Sequence, residues 1–253
     1  TGNTAITVTT NTEAKFSITD PSAAASATVG NVDVTGTKDS PISEAEVTIT
    51  LSGDKFKQEI LADTNVASWF KNLPAGLTAQ IKTQVNANDA TATIKIAGTP
   101  TEAKSEAMQI EVPADQLTGN TAITVTTNTE AKFSIANPAP TASASGTVTG
   151  TNGSPLSGAE ITITLQNGTF TGGLSEGSDV STWITNLSDA GSALTAQIKT
   201  GSGYSDGGNS VTIEINGTPD QTTSAAISIE IPQANVNGAT GNVTADGATF
   251  SIS

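Results

Sequence analysis

The chain contains no histidine, no cysteine and no arginine, and its ten basic residues are all lysine. Without histidine there is no His-based catalytic triad. Without His and Cys there is no zinc site of the usual ligand set, no thiol nucleophile and no disulfide framework. Without Arg, bidentate recognition of phosphate is excluded. Twenty-four acids against those ten lysines leave a net charge of −14, which repels nucleic acid and anionic membrane surfaces. No apolar run approaches the roughly 18 residues of a membrane-spanning helix, so no membrane insertion is expected. The first residues carry no basic-then-apolar signal pattern. The chain also opens on Thr1 rather than Met, as expected of a segment of something longer.

What remains is rich in threonine, 44 of 253 residues, and poor in aromatics, 4%. Threonine is β-branched and suits the exposed face of a strand. At about 125 residues per domain, this length predicts two domains, each large enough for a core. A cysteine-free chain of this composition fits a bacterial surface or secreted protein whose stability comes from packing alone.

Internal repetition organises the sequence. TGNTAITVTTNTEAKFSI, from Thr1 to Ile18, returns unchanged at 118–135, and a diverged copy, GNVTADGATFSI, closes the chain at 241–252. Between the copies lie two matching bodies. EVTITL from Glu46 matches EITITL from Glu160, SWFKNL from Ser68 matches TWITNL from Thr182, and LTAQIKT from Leu77 recurs at Leu194. The expected domains are 1–18, a terminal hairpin of a preceding repeat, then repeats at 19–135 and 136–253.

Inside each body the apolar period is two. Val47, Ile49 and Leu51 alternate with polar residues, as do Ala92, Ile94 and Ile96, then Met108, Ile110 and Val112, then Ile123 and Val125. Strands near 26–34, 77–83 and 131–135 bring the number to about seven per repeat. Lys95 aligns with Glu214, a reversal of charge expected only on a solvent face. The pattern predicts an all-β protein of two tandem Ig-like antiparallel β-sandwiches.

One stretch departs from that period. Val66, Trp69, Phe70 and Leu73, like Val180, Trp183, Ile184 and Leu187, fall at helical spacing. They predict one short helix per repeat, with Asp63 or Asn65, and Ser178 or Asp179, as N-caps. The tryptophans belong to a four-member apolar face, so Trp69, Trp183, Leu73 and Leu187 are expected in the core with Phe133 and Phe250; the alternative is a sugar-stacking platform.

Residues 146–161, GTVTGTNGSPLSGAEI, resemble the first hairpin of carboxypeptidase-regulatory-like and collagen-adhesin B-type domains. Gly146, Val148, Gly153, Pro155, Leu156, Gly158 and Ala159 carry the match; the first repeat keeps only Pro41, Ile42 and Ala45 of it. The whole repeat resembles the tandem Ig-like repeats of long bacterial cell-surface and adhesin-type proteins. That resemblance implies a spacer or adhesive-stalk role. It also implies checking for a Lys–Asn isopeptide bond. Lys82 and Lys199 are the only lysines at equivalent positions, and Asn128 aligns with Ala245, so no Lys–Asn–acid trio is common to both repeats.

Other chemistry finds little support. The carboxylate pairs Glu44 with Glu46 and Asp54 with Glu59 fall on polar phases or in loops and read as solvated surface rather than as a glycosidase pair. Weakly bound calcium has oxygen-rich turns to consider, at Asn86, Asn88 and Asp89 and around Asp206, though each also reads as an ordinary turn. No cofactor and no catalytic residue is expected. Five Asn-x-Ser/Thr sequons (Asn152, Asn167, Asn186, Asn216, Asn242) are what chance supplies in such a composition.

Three motif copies bound two bodies, so one copy lacks a body, and a lone hairpin does not stay folded in water. Residues 1–18 are therefore expected to complete a neighbouring repeat of the same protein or to pair head to tail with another molecule. The leading reading is a structural, non-catalytic stalk segment. The alternatives are a strand-exchanged filament subunit, and a glycan- or protein-binding module using loops 168–179 or 201–209.

Overall fold

Residues 24–126 and 130–253 are described by a computed structural model, and the alternating segments are its strands. The chain divides after Ala136 into two compact units, one residue beyond the expected boundary. Residues 1–18, expected to be a hairpin, lie outside the described residues. In the first unit, β1 is Ser26–Val29, β2 Val32–Thr37, β3 Ile42–Ser52, β4 Leu77–Ile81, β5 Thr91–Gly98, β6 Lys104–Ala107, β7 Glu111–Val112, β8 Ile123–Thr126 and β9 Ala131–Ala136. In the second, β10 is Thr141–Ser145, β11 Thr147–Gly150, β12 Ala159–Gln166, β13 Thr169–Phe170, β14 Thr195–Ile198, β15 Ser210–Asn216, β16 Ile229–Ile231, β17 Val236–Asn237, β18 Val243–Asp246 and β19 Thr249–Ile252.

The protein is all-β. Each unit has a six-stranded sheet curled as a half-barrel, ordered β4-β5-β3-β1-β8-β7 in the first and β14-β15-β12-β10-β18-β16 in the second. Smaller sheets, β2-β9-β6 in the first unit and β11-β19 in the second, lie next in sequence to β1, β8 and β7 and to β10 and β18. These smaller sheets raise the strand count above the expected seven.

They also correct the hairpin expected of the threonine-rich motif. In the described copies the two strands of the motif do not pair with each other. β8 lies between β1 and β7, and β9 between β2 and β6, so the motif's two strands take places in two successive sheets. Ala27 faces Val125 while Val32 faces Ala131. The register of the first strand against the last thus shifts by one residue between the two sheets.

The helix expected around each tryptophan is also corrected. A single 3-10 turn forms at each tryptophan, Ala67–Trp69 and Ser181–Trp183, and the second unit adds another at Leu187–Asp189. The side chains of Asn65 and Asp179 close the tryptophan turns, accepting from the amides of Ala67 and Ser181 at 2.9 Å each. The chain then extends, and Phe70 bridges to Ile110 as Ile184 does to Ile229. Asp63 does not cap; it takes a positive φ of 63° and pairs with Lys95.

The apolar phases converge on one core per unit. Trp69 and Trp183 are 4% and 3% exposed. Each lies nearly parallel to a phenylalanine, Phe56 at 6.2 Å and Phe170 at 6.0 Å between ring centres. Phe133, Phe250 and Leu187 are buried, and Leu73 packs against the core half-buried. Asn72 and Asn186, next to Leu73 and Leu187, tie this segment across the sheet edge. Asn72 donates to the Ala107 carbonyl at 2.8 Å and accepts the Gln109 amide at 2.9 Å. Asn186 repeats the arrangement with Ala226 and Ser228 at 2.9 and 2.8 Å.

Candidate functional site

The residues considered for chemistry are occupied with one another. Asn86 donates its amide to Asp89 at 2.8 Å, and its side-chain oxygen accepts from Gln84, while Asn88 takes a positive φ of 71°. This is a turn closed on its own oxygens. Asp206 is placed elsewhere, accepting from the Tyr204 hydroxyl and the Gly173 amide, both at 3.1 Å. Among the described residues, no group of three or more acids is arranged to hold a metal ion.

The equivalent lysines meet equivalent acids instead of asparagine. Lys82 pairs with Glu44 and Glu46, and Lys199 with Glu160 at 2.6 Å. Hydrogen bonds donated to these carboxylates, opposed by partial desolvation, hold both lysines above their ordinary pKa. Asn128 lies outside the described residues.

Loops 168–179 and 201–209 bind each other. Glu176 accepts the amides of Gly201 and Gly203 at 2.8 Å, contacts that hold its carboxyl below the usual range. Tyr204 sets its ring edge against Phe170, 6.4 Å between centres. Its burial, helped by the Asp206 carboxylate, pushes the phenol up to about 12.

What the topology does build, in both units, is a parallel seam between the first and last strands. In the first unit β1 and β2 run parallel to β8 and β9 over two and then six facing residues. In the second, β10 and β11 run parallel to β18 and β19 over two and then four. The kink in the second seam needs glycine. Gly247 has φ 118°, and a Cβ there would sit 2.2 Å from the Ala144 carbonyl oxygen; Gly146, φ 120°, would meet the Glu160 oxygen at 2.6 Å.

At the mouth of each seam the parallel strands splay into a groove, about 620 Å³ in the first unit and 500 Å³ in the second. Asp54 lines the first and corrects a sequence reading, because this carboxylate is 7% exposed and not solvated surface. It accepts the Thr118 hydroxyl, the Lys55 amide at 2.7 Å and the Gly119 amide at 3.2 Å. Burial pushes its carboxyl up, but those hydrogen bonds outweigh burial and leave it below the ordinary 3.8. Lys57 reaches the Asn120 side-chain oxygen at 2.9 Å. In the second unit the position of Asp54 is Gly168, and a Cβ there would be 2.9 Å from Pro140; a proline ring fills the space the carboxylate takes in the first.

No family model matches the chain, and no curated protein matches it. Among solved structures, the chain is similar to a protein of unknown function from Porphyromonas gingivalis W83. The identity is 12% and the TM-score 0.22, over 88% of this chain and 99% of that one. A score that low carries no argument about fold or activity.

Proposed function

We propose that the chain is a structural, non-catalytic segment of a bacterial cell-surface or secreted stalk, two Ig-like sandwich repeats whose partners are neighbouring repeats of the same protein. The seam supports this reading. In each unit the first and last strands are parallel neighbours, so the chain enters at one end of the seam and leaves at the other. Tension applied between those ends loads the seam's hydrogen bonds in shear, all at once. Pulling two antiparallel neighbours apart from adjacent ends breaks such bonds singly. A fold that joins its termini by a shear-loaded seam is suited to transmitting force.

Force spectroscopy tests this. Pulled from its ends, the protein is expected to unfold in two events, one per unit. Because the chain has no cysteine, Thr50→Cys and Thr91→Cys supply unique handles at facing residues of β3 and β5. Pulling there unzips the pair, and the first unit should yield at a clearly lower force. Equal forces in the two geometries would remove the support.

A further inference from the structure

The first unit's slot for β8 and β9 reads its occupant residue by residue. Asp54 takes the Thr118 hydroxyl and the Gly119 amide, and a Cβ at 119 would lie 2.8 Å from an Asp54 oxygen, so a larger residue there would displace the carboxylate. Lys57 takes Asn120. Further along, Val125, Ala131, Phe133 and Ile135 are buried in the core. The second unit's slot reads differently. Gly168 and Thr171 stand where Asp54 and Lys57 stand, and the occupant enters as Asn237-Gly238-Ala239 after Val236 pairs with Phe170, as Leu117 bridges to Phe56.

Residues 1–18 repeat 118–135 without a change. They therefore carry Thr1, Gly2 and Asn3 for Asp54 and Lys57, and Val8, Ala14, Phe16 and Ile18 for the core. They match the first unit's slot and not the second's. They cannot fill that slot in their own unit. A strand there runs parallel to β1 and β2, and a crossover between parallel neighbours takes about a dozen residues or more. Only residues 19–25 separate Ile18 from β1.

We propose that residues 1–18 are a strand donor for the first unit of a second copy of this chain, entering between its β1–β2 and its β6–β7 in place of that copy's own 118–135. Identical sequences make the exchange nearly neutral in free energy, so tethering decides it. A tethered strand has an effective concentration on the order of millimolar, and the intact chain stays monomeric well below that. Once the tethered strand is disabled, the donor of the next molecule takes the slot. Donor and slot are different parts of the chain, so the contact is heterologous and can extend from one molecule to the next.

Phe133→Asp in the full chain disables the tethered strand and leaves its copy intact. Light scattering after size exclusion should show the parent as monomer at micromolar concentration and Phe133→Asp as a ladder of oligomers that lengthens with concentration. Adding Phe16→Asp should abolish the ladder, which separates strand donation from aggregation of a damaged unit. Register is checked by Thr9→Cys and Thr28→Cys in the Phe133→Asp chain, because Thr28 faces Thr126 and Thr9 is the copy of Thr126. A disulfide between molecules is expected. A monomeric Phe133→Asp chain, a ladder that survives Phe16→Asp, or a ladder without the disulfide would each overturn the proposal, and none would touch the shear reading of the seam.

Discussion

Asp54→Ala removes the acceptor that pins the last strand at the mouth of the first seam. The Thr118 hydroxyl and Gly119 amide lose their partner, as does the Lys55 amide at 2.7 Å. A hydrogen bond to a charged group is worth about 1.5–3 kcal/mol. The groove beside Asp54 admits water to the freed donors, so the loss should come nearer one such bond than three, about 2–3 kcal/mol. At about 4 °C per kcal/mol for a domain of this size, the first unit's melting temperature should fall by roughly 8–12 °C. Calorimetry of the full chain reads this directly, because the second unit has Gly168 at that position and its transition should not move. Acid supplies the sign. The folded carboxyl sits below its ordinary value of 3.8, so its contribution is complete above that pH and is lost as pH falls through the folded value. The gap between parent and variant should therefore close in strong acid. Importing the second unit's solution, Asp54→Gly with Ala25→Pro, should recover part of what Asp54→Gly loses. A shift under about 3 °C, less than one kcal/mol, would refute the latch. So would a matching shift in the second unit, or a gap that persists in acid.

Other perturbations test the remaining contacts. Trp183→Ala removes the ring stacked on Phe170 and should cost about 3–5 kcal/mol, seen as a lower calorimetric transition for the second unit alone. Gly247→Ala forces a side chain against the Ala144 carbonyl at a positive φ and should cost at least about 1–3 kcal/mol, again in the second unit. Tyr204 is the chain's only tyrosine, so phenolate absorbance should titrate with a midpoint of about 12 and lower in Asp206→Asn; a parent midpoint near 10.0 would refute the contact. Neutral Tyr204 supports the fold fully below its ordinary 10.0, and that support fades as pH rises through the folded value.

The strands and their faces were legible because alternation records burial directly, and every position read as inward on 47–51, 92–96 and 123–125 is buried. Alternation says nothing about partners. The motif's two apolar stretches flank Thr-Asn-Thr, which looks like a turn. Whether such a segment folds back or bends forward depends on β1, β2, β6 and β7, all distant in sequence. Helical spacing around Trp69 misled for a related reason: an extended stretch crossing the mouth of a curled sheet can also bring residues three and four apart to one core. Asp54 was hidden most completely, because Thr118, the partner that buries it, lies 64 residues away and nothing in its neighbourhood distinguishes it from the solvated acids.

Comparison of the two repeats separates surface that varies freely from geometry that does not. On the outer face Lys95, paired with Asp63, becomes Glu214, hydrogen-bonded by Gln197 at 3.4 Å. The Lys82–Glu46 pair recurs as Lys199–Glu160, but such exposed pairs contribute little. At the seam mouth Asp54, Lys57 and Thr118 of the first unit become Gly168, Thr171 and Asn237 in the second, with a buried carboxylate in one and a proline ring against glycine in the other. Two unrelated chemical solutions at one place support the proposed mechanical role. A binding site would need the same donors and acceptors in both units, whereas a strand that must not peel from its neighbour needs only to be held where the separating force first arrives.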